Sequence, residues 1–136
     1  MQKKNKVLFD ASALLALIQQ ESGLEILEEV ASIAAISSVN LSEVISVLAR
    51  SGMPEEAIKE TINSSITDFI PFSQEEAELA GQLITKTQSF GLSLGDRACI
   101  ATGLIHNLNI YTTDQAWKKL EVKGLSLTLV RENFTA

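Results

Sequence analysis

The sequence predicts an α/β protein whose central, mostly parallel five-stranded sheet is flanked by helices. Short apolar runs of strand length alternate along the 136 residues with longer segments of helical periodicity. No composition break, repeat or low-complexity linker interrupts this alternation, so residues 1–136 are expected to form one domain. Hydrophobic residues make up 46% of the chain and aromatic residues only 5%, which predicts a sizeable, mainly aliphatic core.

Five apolar runs are predicted as strands because each has strand length and lies between helical segments. Pro71 marks either the end of the third strand or a sheet edge, since proline cannot donate to a strand ladder. Strands that alternate with helices are typical of a parallel sheet covered on both faces. The predicted strands are Lys6–Asp10, Ile33–Val39, Ile66–Phe72, Asn109–Thr112 and Leu125–Val130.

Helices are predicted between these strands. Gly52 and Pro54 have the spacing of one helix ending and the next beginning, and Ser73-x-x-Glu76 has the pattern of a capping box. A further helix follows Gly91 and is apolar almost all round through Ile105, which predicts that it is buried. The other predicted helices are Ala11–Gln20, Gly23–Ala31, Asn40–Arg50, Pro54–Ser64, Ser73–Ser89 and the short Gln115–Leu120.

Charge and cysteine content limit the class of protein. The formal net charge is −6, which argues against a broad basic surface for nucleic acid. It does not exclude a nucleic-acid enzyme, because bound cations can offset local acid. The single cysteine, Cys99, allows no internal disulfide and fits a cytoplasmic protein. We expect no export signal and no membrane span.

Four acidic residues follow predicted strands or open helices. Asp10 ends the first strand, and Glu43 lies in the first turn of the helix after the second strand. Asp96 opens the buried helix, and Asp114 comes two residues after the fourth strand. Ligands of open α/β sheets bind at the carboxyl ends of the strands, so these four acids are expected to converge there. The remaining aspartate, Asp68, lies within a strand segment away from this pattern.

A purely structural interpretation competes with this convergence. Ser93-x-x-Asp96 and Asn40-x-x-Glu43 both resemble capping boxes, and Asp114 is placed to cap its helix. An acid in a first helical turn contributes roughly 0.3–1 kcal/mol through the helix dipole. Each acid alone is therefore explained by capping.

Convergence of all four acids is harder to explain by capping. Like charges about 4 Å apart repel by roughly 4 kcal/mol at an effective dielectric constant of 20, so a carboxylate cluster needs protons or a cation. Oxygen ligands without His or Cys suit Mg²⁺ or Mn²⁺ rather than Zn²⁺.

Four motifs together resemble the PIN-domain ribonucleases, and among them the toxins of VapBC toxin–antitoxin pairs. The resemblance covers nearly the full length. Each motif is weak alone, but their order and spacing are fairly specific. The motifs are Val7-Leu-Phe-Asp10-Ala-Ser12, Ser38-Val-Asn40-Leu-Ser-Glu43-Val, Gly91-Leu-Ser-Leu-Gly-Asp96-Arg97-Ala and Tyr111-Thr112-Thr-Asp114-Gln-Ala-Trp117.

The resemblance implies a metal-dependent endoribonuclease. Its catalytic and metal-binding residues would be Asp10, Glu43, Asp96 and Asp114, holding one or two Mg²⁺ or Mn²⁺ ions. A metal-activated water would attack an RNA phosphodiester and leave a 5′-phosphate and a 3′-hydroxyl.

Four further residues match the family or a subset of it. Ser12 and Thr112 correspond to small hydroxyl residues that would orient metal ligands or waters. Asn40 and Arg97 match some relatives, and Arg97 would either meet substrate phosphate or pair with an acid. The family also implies a homodimer, an RNA substrate and a VapB-like antitoxin whose tail blocks the acidic groove.

Two other hypotheses are kept beside the ribonuclease. One is a catalytically inactive α/β scaffold that acts through protein contacts, with its acids serving as helix caps. The other is a phosphotransfer receiver-like domain, which is disfavoured because Phe9 and Ala11 flank Asp10 where an acid pair would be needed. Outside the acids, His106 is expected at the surface near a helix C-terminus, and Trp117 in the core or a dimer contact.

Overall fold

Five parallel strands form one sheet in the computed structural model, which describes residues 6–21 and 24–130. The strand order is β3-β2-β1-β4-β5, and every neighbouring pair is parallel. The predicted fold class is confirmed, and the five strands lie where the apolar runs predicted them, although several are shorter than predicted. The strands are β1 (Val7–Phe9), β2 (Ala34–Ser37), β3 (Asp68–Ile70), β4 (Asn109–Thr112) and β5 (Leu127–Leu129).

Seven α-helices and three short 3₁₀ segments connect these strands in the described part of the chain. The 3₁₀ segments are Ala31–Ile33, Gln88–Phe90 and Gln115–Lys119, and the last of them replaces the short helix predicted there. The helices are α1 (Ala11–Ile18), α2 (Ile26–Val30), α3 (Ser38–Arg50), α4 (Glu55–Ser65), α5 (Gln74–Gln82), α6 (Ile84–Thr87) and α7 (Leu94–His106).

Two predicted helices differ in their bounds from the helices of the structure. The helix predicted for Ser73–Ser89 is interrupted at Leu83, and the β-branched residues that follow it favour helix less than their predecessors do. The helix predicted for Gly23–Ala31 is α2, and Gly23 itself lies outside the described residues.

The start of α3 matters for the site. The predicted capping box at Asn40 and Glu43 does not form, because α3 begins at Ser38. Ser37 is its N-cap, and the hydroxyl of Ser37 accepts a hydrogen bond from the Val39 N–H at 3.2 Å. Asn40 and Glu43 therefore lie inside the helix with their side chains free for other contacts.

The two faces of the sheet bury two separate apolar clusters. Because side chains alternate along a strand, Phe9 of β1 faces one cluster and Leu8 faces the other. The first cluster lies under α1 to α4, and the second under α5 and α7. Strand β1 is thus buried on both faces, which is typical of a central parallel strand.

Helix α7 crosses the second face close to the sheet, as its apolar sequence predicted. A Cβ added at Gly103 would lie 2.7 Å from Cδ1 of Ile110 on β4, so the helix backbone approaches the strand closely. The helix ends at Asn107, which adopts the left-handed conformation with φ of 55°. None of the helices in the described ranges is both long enough and apolar enough to cross a membrane.

Candidate active site

Asp10 lies at the carboxyl end of β1 and caps α1. Its Oδ1 accepts hydrogen bonds from the Ala13 N–H at 2.8 Å and from Ser12 Oγ at 2.7 Å. Its Oδ2 accepts from Thr112 Oγ1. Asp10 is only 4% exposed, and burial raises its pKa to about 6 even though these hydrogen bonds oppose the change. The charge of Asp96 raises the pKa of Asp10 further.

Ser12 and Thr112 lie where the resemblance predicted, around Asp10. Their hydroxyl oxygens are 3.2 Å apart, and each also accepts a backbone hydrogen bond. The Thr113 N–H donates to Ser12 Oγ, and the Asp114 N–H donates to Thr112 Oγ1, both at 3.0 Å. This network ties the end of β4 to the end of β1 and fixes the orientation of the Asp10 carboxylate.

Glu43 reaches the first turn of α7 from the neighbouring helix α3. Its Oε1 accepts a hydrogen bond from Asn40 Nδ2 at 2.7 Å, and Asn40 Nδ2 also donates to the Gly95 carbonyl at 3.0 Å. The carboxylate occupies the space beside the Gly95 Cα, where a Cβ would be 2.3 Å from Oε2. Sequence analysis missed Gly95, whose only signal was a glycine in the first turn of a buried helix.

Asp96 forms a true capping box at the start of α7. Its Oδ2 accepts from the Ser93 N–H at 3.0 Å, and the Asp96 N–H donates to Ser93 Oγ at 3.2 Å. The predicted capping role of Asp96 is therefore confirmed. A carboxylate has about four lone-pair sites, so capping leaves room for a further ligand.

Cys99 shows that three of the acids share one region. Burial raises the pKa of its thiol, and the charges of Asp10, Asp96 and Glu43 raise it further. Glu43 and Asp96 lie at the first turn of α7, and all three carboxylates are near enough to this thiol to raise its pKa. Cys99 itself is fully buried in the apolar cluster, as its sequence context predicted.

Asp114 lies at the margin of this region. It is exposed, and its Oδ1 accepts from the Ala116 N–H at 2.9 Å, capping the 3₁₀ segment. Its connection to the other acids is the hydrogen bond from its N–H to Thr112. The structure thus brings three predicted acids together and leaves the fourth at the rim.

Arg97 forms no ion pair with an acidic side chain of the described residues. Its Nη1 donates to the Ala80 carbonyl at 2.8 Å, which joins α7 to the end of α5. Its Nε is buried without a hydrogen-bond partner in the described residues. Of the two alternatives for Arg97, pairing with an acid is not seen in the described ranges, where the ion pairs are Lys6–Asp68 and His106–Glu76.

The potential metal ligands of this region suit a hard divalent cation. No three acidic, His or Cys side chains of the described residues lie close enough together to hold one as they stand. All available donors are oxygens, which is the preference of Mg²⁺ and Mn²⁺. The Asn40 Oδ1 atom is buried and lacks a partner in the described residues. Asp10 is a buried acid that a cation would stabilise in its charged form. Asp10, Glu43 and Asp96 are the candidates that would hold such an ion.

Residues outside this site have structural roles. Trp117 is fully buried in the second apolar cluster, which confirms core packing. His106 is at the surface as predicted, and its Nε2 lies 2.8 Å from Oε2 of the buried Glu76. Asp68 lies at the opposite end of the strands from Asp10 and contacts Lys6.

These features define an α/β protein with a parallel sheet and an acidic site at the carboxyl edge of its central strands. The family model of the PIN domain matches residues 7–123, and the chain belongs to that family. PIN domains are typically nucleases, so the family places the chain in a class of nucleic-acid hydrolases.

Solved structures have the same fold. A toxin–antitoxin complex from Klebsiella pneumoniae contains a chain that is 24% identical, with a TM-score of 0.71 over 94% of this chain and 100% of that one. A chain of DNA-bound VapBC from Salmonella typhimurium is 18% identical, with a TM-score of 0.73 over 94% and 100%.

The sarcin–ricin loop cleaving toxin VapC20 of Mycobacterium tuberculosis is 14% identical, with a TM-score of 0.68 over 89% of this chain and 99% of that chain. Identities this low establish the fold alone. A search of curated proteins found no match.

Proposed function

We propose that this protein is a Mg²⁺- or Mn²⁺-dependent endoribonuclease toxin that a VapB-like antitoxin inhibits. The observation that carries the proposal is that Glu43 and Asp96 both lie at the first turn of α7, while the buried Asp10 follows the central strand β1 on which α7 packs. Carboxylates that lie in one region and offer only oxygen ligands favour a hard cation over an anion, which supports the proposal.

Asp10 is the strongest single argument for function over capping. A serine, threonine or asparagine caps a helix as well as an aspartate and carries no buried charge. A pKa moved from 3.8 to about 6 corresponds to about 3 kcal/mol of stability lost at neutral pH. Retaining a charged group at that energetic disadvantage is typical of a functional site.

Each residue has a defined part in the proposed reaction. Asp10, Glu43 and Asp96 would hold one or two ions, with Asp114 contributing from the rim. Ser12 and Thr112 keep the Asp10 carboxylate in one orientation through their hydrogen bonds. When bound, the cation supplies Lewis acidity and activates water for phosphodiester hydrolysis. The proposed products carry a 5′-phosphate and a 3′-hydroxyl.

The partners proposed are an RNA substrate, an antitoxin and a second copy of the chain. Support for the first two comes from neighbours of the same fold, which include toxin–antitoxin complexes and a toxin that cleaves the sarcin–ricin loop. The homodimer follows from the family resemblance. A cytoplasmic location is proposed because RNA and a reduced cysteine are both found there.

The inactive-scaffold hypothesis retains one observation in its favour. Asp10, Asp96 and Asp114 all accept backbone hydrogen bonds at helix starts, so capping accounts for part of what each does. Glu43 differs from these three, because it lies inside α3 and its hydrogen-bond partner in the described residues is the Asn40 side chain rather than a backbone N–H. Cation binding therefore separates the two hypotheses.

Thermal unfolding with and without Mn²⁺ tests the proposal. An ion at a hundredfold excess over its dissociation constant stabilises the folded state by about 2.7 kcal/mol. For a domain of this size we expect a rise of several degrees in Tm. Asp96→Asn should remove the rise while keeping the cap, and Asp68→Asn at the far end of the strands is the matched control.

Product analysis provides a second readout. We expect cleaved RNA to carry 5′-phosphate and 3′-hydroxyl ends. Absence of a Mn²⁺-dependent rise in Tm in the wild-type protein, or 2′,3′-cyclic phosphate ends on the products, would overturn the proposed mechanism.

A further inference from the structure

We propose that Gly95 and Asn40 are positioning residues that fix the Glu43 carboxylate against the first turn of α7. The inference rests on the proposed metal-dependent activity, because it concerns how one of the acids is held. It concerns two residues that bear no charge, and Gly95 was not among the residues singled out by the sequence.

Gly95 makes room for the Glu43 carboxylate because glycine has no Cβ. A Cβ at this position would lie 2.3 Å from Glu43 Oε2 and 2.5 Å from both Cδ and Oε1. Real Cβ contacts are essentially never shorter than 3.0 Å, so an alanine would force the whole carboxylate to move. The close approach also brings the carboxylate to a helix N-terminus, where the partial positive charge favours an anion.

Asn40 holds the same carboxylate from the side of α3. Both hydrogens of its amide are used, one by Glu43 Oε1 and the other by the Gly95 carbonyl. Rotating the amide by 180° would direct Oδ1 at two acceptors, so the chemistry of the neighbours fixes the orientation. Asn40 thereby ties α3 directly to α7 through the Gly95 carbonyl, while it holds the Glu43 carboxylate on its own helix.

The amide oxygen of Asn40, Oδ1, supports a role of this residue in the site rather than in folding alone. Asn40 is 1% exposed, and Oδ1 has no hydrogen-bond partner in the described residues. A buried acceptor without a partner lowers stability, so this half of the amide contributes nothing to folding. The described contacts leave Glu43 Oε2 beside Gly95, on a groove of about 490 Å³ shared with Ser38, Ser42 and Leu94.

A double-mutant cycle tests the contact without relying on activity. Gly95→Ala should change Tm less favourably, by a few degrees, in the wild-type background than in a Glu43→Ala background, because the Glu43 carboxylate must leave its place and its contact with Asn40. In a Glu43→Ala background the same substitution should leave Tm unchanged or raise it, since alanine favours helix over glycine. Gly81→Ala in α5 is the matched control, because a Cβ there meets no atom within 4 Å. It should behave alike in both backgrounds.

Mn²⁺ affinity then tests whether the contact positions Glu43 for the cation. Gly95→Ala should weaken Mn²⁺ binding at least fivefold, measured by electron paramagnetic resonance of the free ion, while Gly81→Ala should bind as the wild type does. Asn40→Leu should weaken binding similarly but keep Tm within a few degrees of the wild type.

The outcomes separate this inference from the proposed function. Equal effects of Gly95→Ala in both backgrounds would overturn the contact. Coupling in Tm with wild-type Mn²⁺ affinity in Gly95→Ala would overturn the positioning role. A wild-type protein that binds no Mn²⁺ and cleaves no RNA would refute the proposed function, and with it the role toward the cation, whereas the cycle would still report on the contact. Should Gly95→Ala fail to fold, Asn40→Leu carries the affinity test.

Discussion

Replacing Asp10 by asparagine should stabilise the metal-free protein at neutral pH. Asp10 is almost fully buried, and burial raises its pKa from 3.8 to about 6. The folded state therefore carries a penalty of about 3 kcal/mol whenever this carboxylate is ionised. Asparagine has nearly the same shape and no charge, so it removes the penalty.

The hydrogen bonds around Asp10 survive the substitution. An asparagine Oδ1 can accept from Ser12 and from the Ala13 N–H, as the aspartate does. Its Nδ2 can donate to Thr112 Oγ1, whose own hydrogen can turn toward Ser12 Oγ at 3.2 Å. After weaker hydrogen bonding is subtracted, we expect Asp10→Asn to raise the free energy of unfolding by about 1–3 kcal/mol at pH 7.5.

Urea unfolding in EDTA at pH 7.5 and pH 4 measures the effect. Because the pKa of Asp10 is higher in the folded state than in the unfolded state, its ionisation destabilises the folded state by the full amount only above about pH 6. This destabilisation disappears as the pH falls through 3.8. The advantage of the variant should therefore shrink toward pH 4. Asp68→Asn is the control, because that exposed ion pair with Lys6 is worth about 0–1 kcal/mol.

Saturating Mn²⁺ should reduce or reverse the difference, since the wild type gains binding energy that the variant lacks. A variant less stable than the wild type at pH 7.5 in EDTA, or an advantage that stays constant between the two pH values, would refute the reasoning.

Two further predictions concern α5 and α7. Burial would raise the pKa of Glu76, but hydrogen bonds from Ser73, His106 and the backbone lower this pKa to about 2. The ionised Glu76 therefore stabilises the folded state fully above pH 4.5, and this stabilisation is lost as the pH falls toward 2. Glu76→Gln should therefore destabilise the protein by about 1–2 kcal/mol at neutral pH. Its free energy of unfolding should also depend less on pH between 4.5 and 2 than that of the wild type, measured by circular dichroism, and an unchanged pH dependence would contradict this. Gly103→Ala should cost about 1–3 kcal/mol through contact with Ile110, more than the helix propensity it adds, and a higher Tm in calorimetry would contradict it.

The sequence predicted the sheet well because strand and helix patterns alternate in an unambiguous way. Alternation implies parallel strands, and parallel strands place their carboxyl ends at one edge, so Asp10 and Asp96 could be brought together without coordinates. The strand order was not predicted, because local patterns do not say that β1 pairs with both β2 and β4.

The details of Glu43 could not be predicted for a different reason. Ser37, Ser38 and Asn40 are all competent N-caps, and only the packing of α3 decides between them. The register of that helix determines that Asn40 faces inward and that Glu43 meets Gly95. A glycine that serves by leaving space has no chemical signature, so it becomes visible only when its neighbour is in place.

The hydrogen bond between Asp10 and Thr112 joins residues 102 positions apart. During synthesis on the ribosome, this contact therefore cannot form until β4 has been made. Growing chains that stop short of β4 would carry the acid of β1 without the hydroxyl that orients it. The arrangement of side chains around Asp10 is therefore completed only late in translation, after β4 has been made.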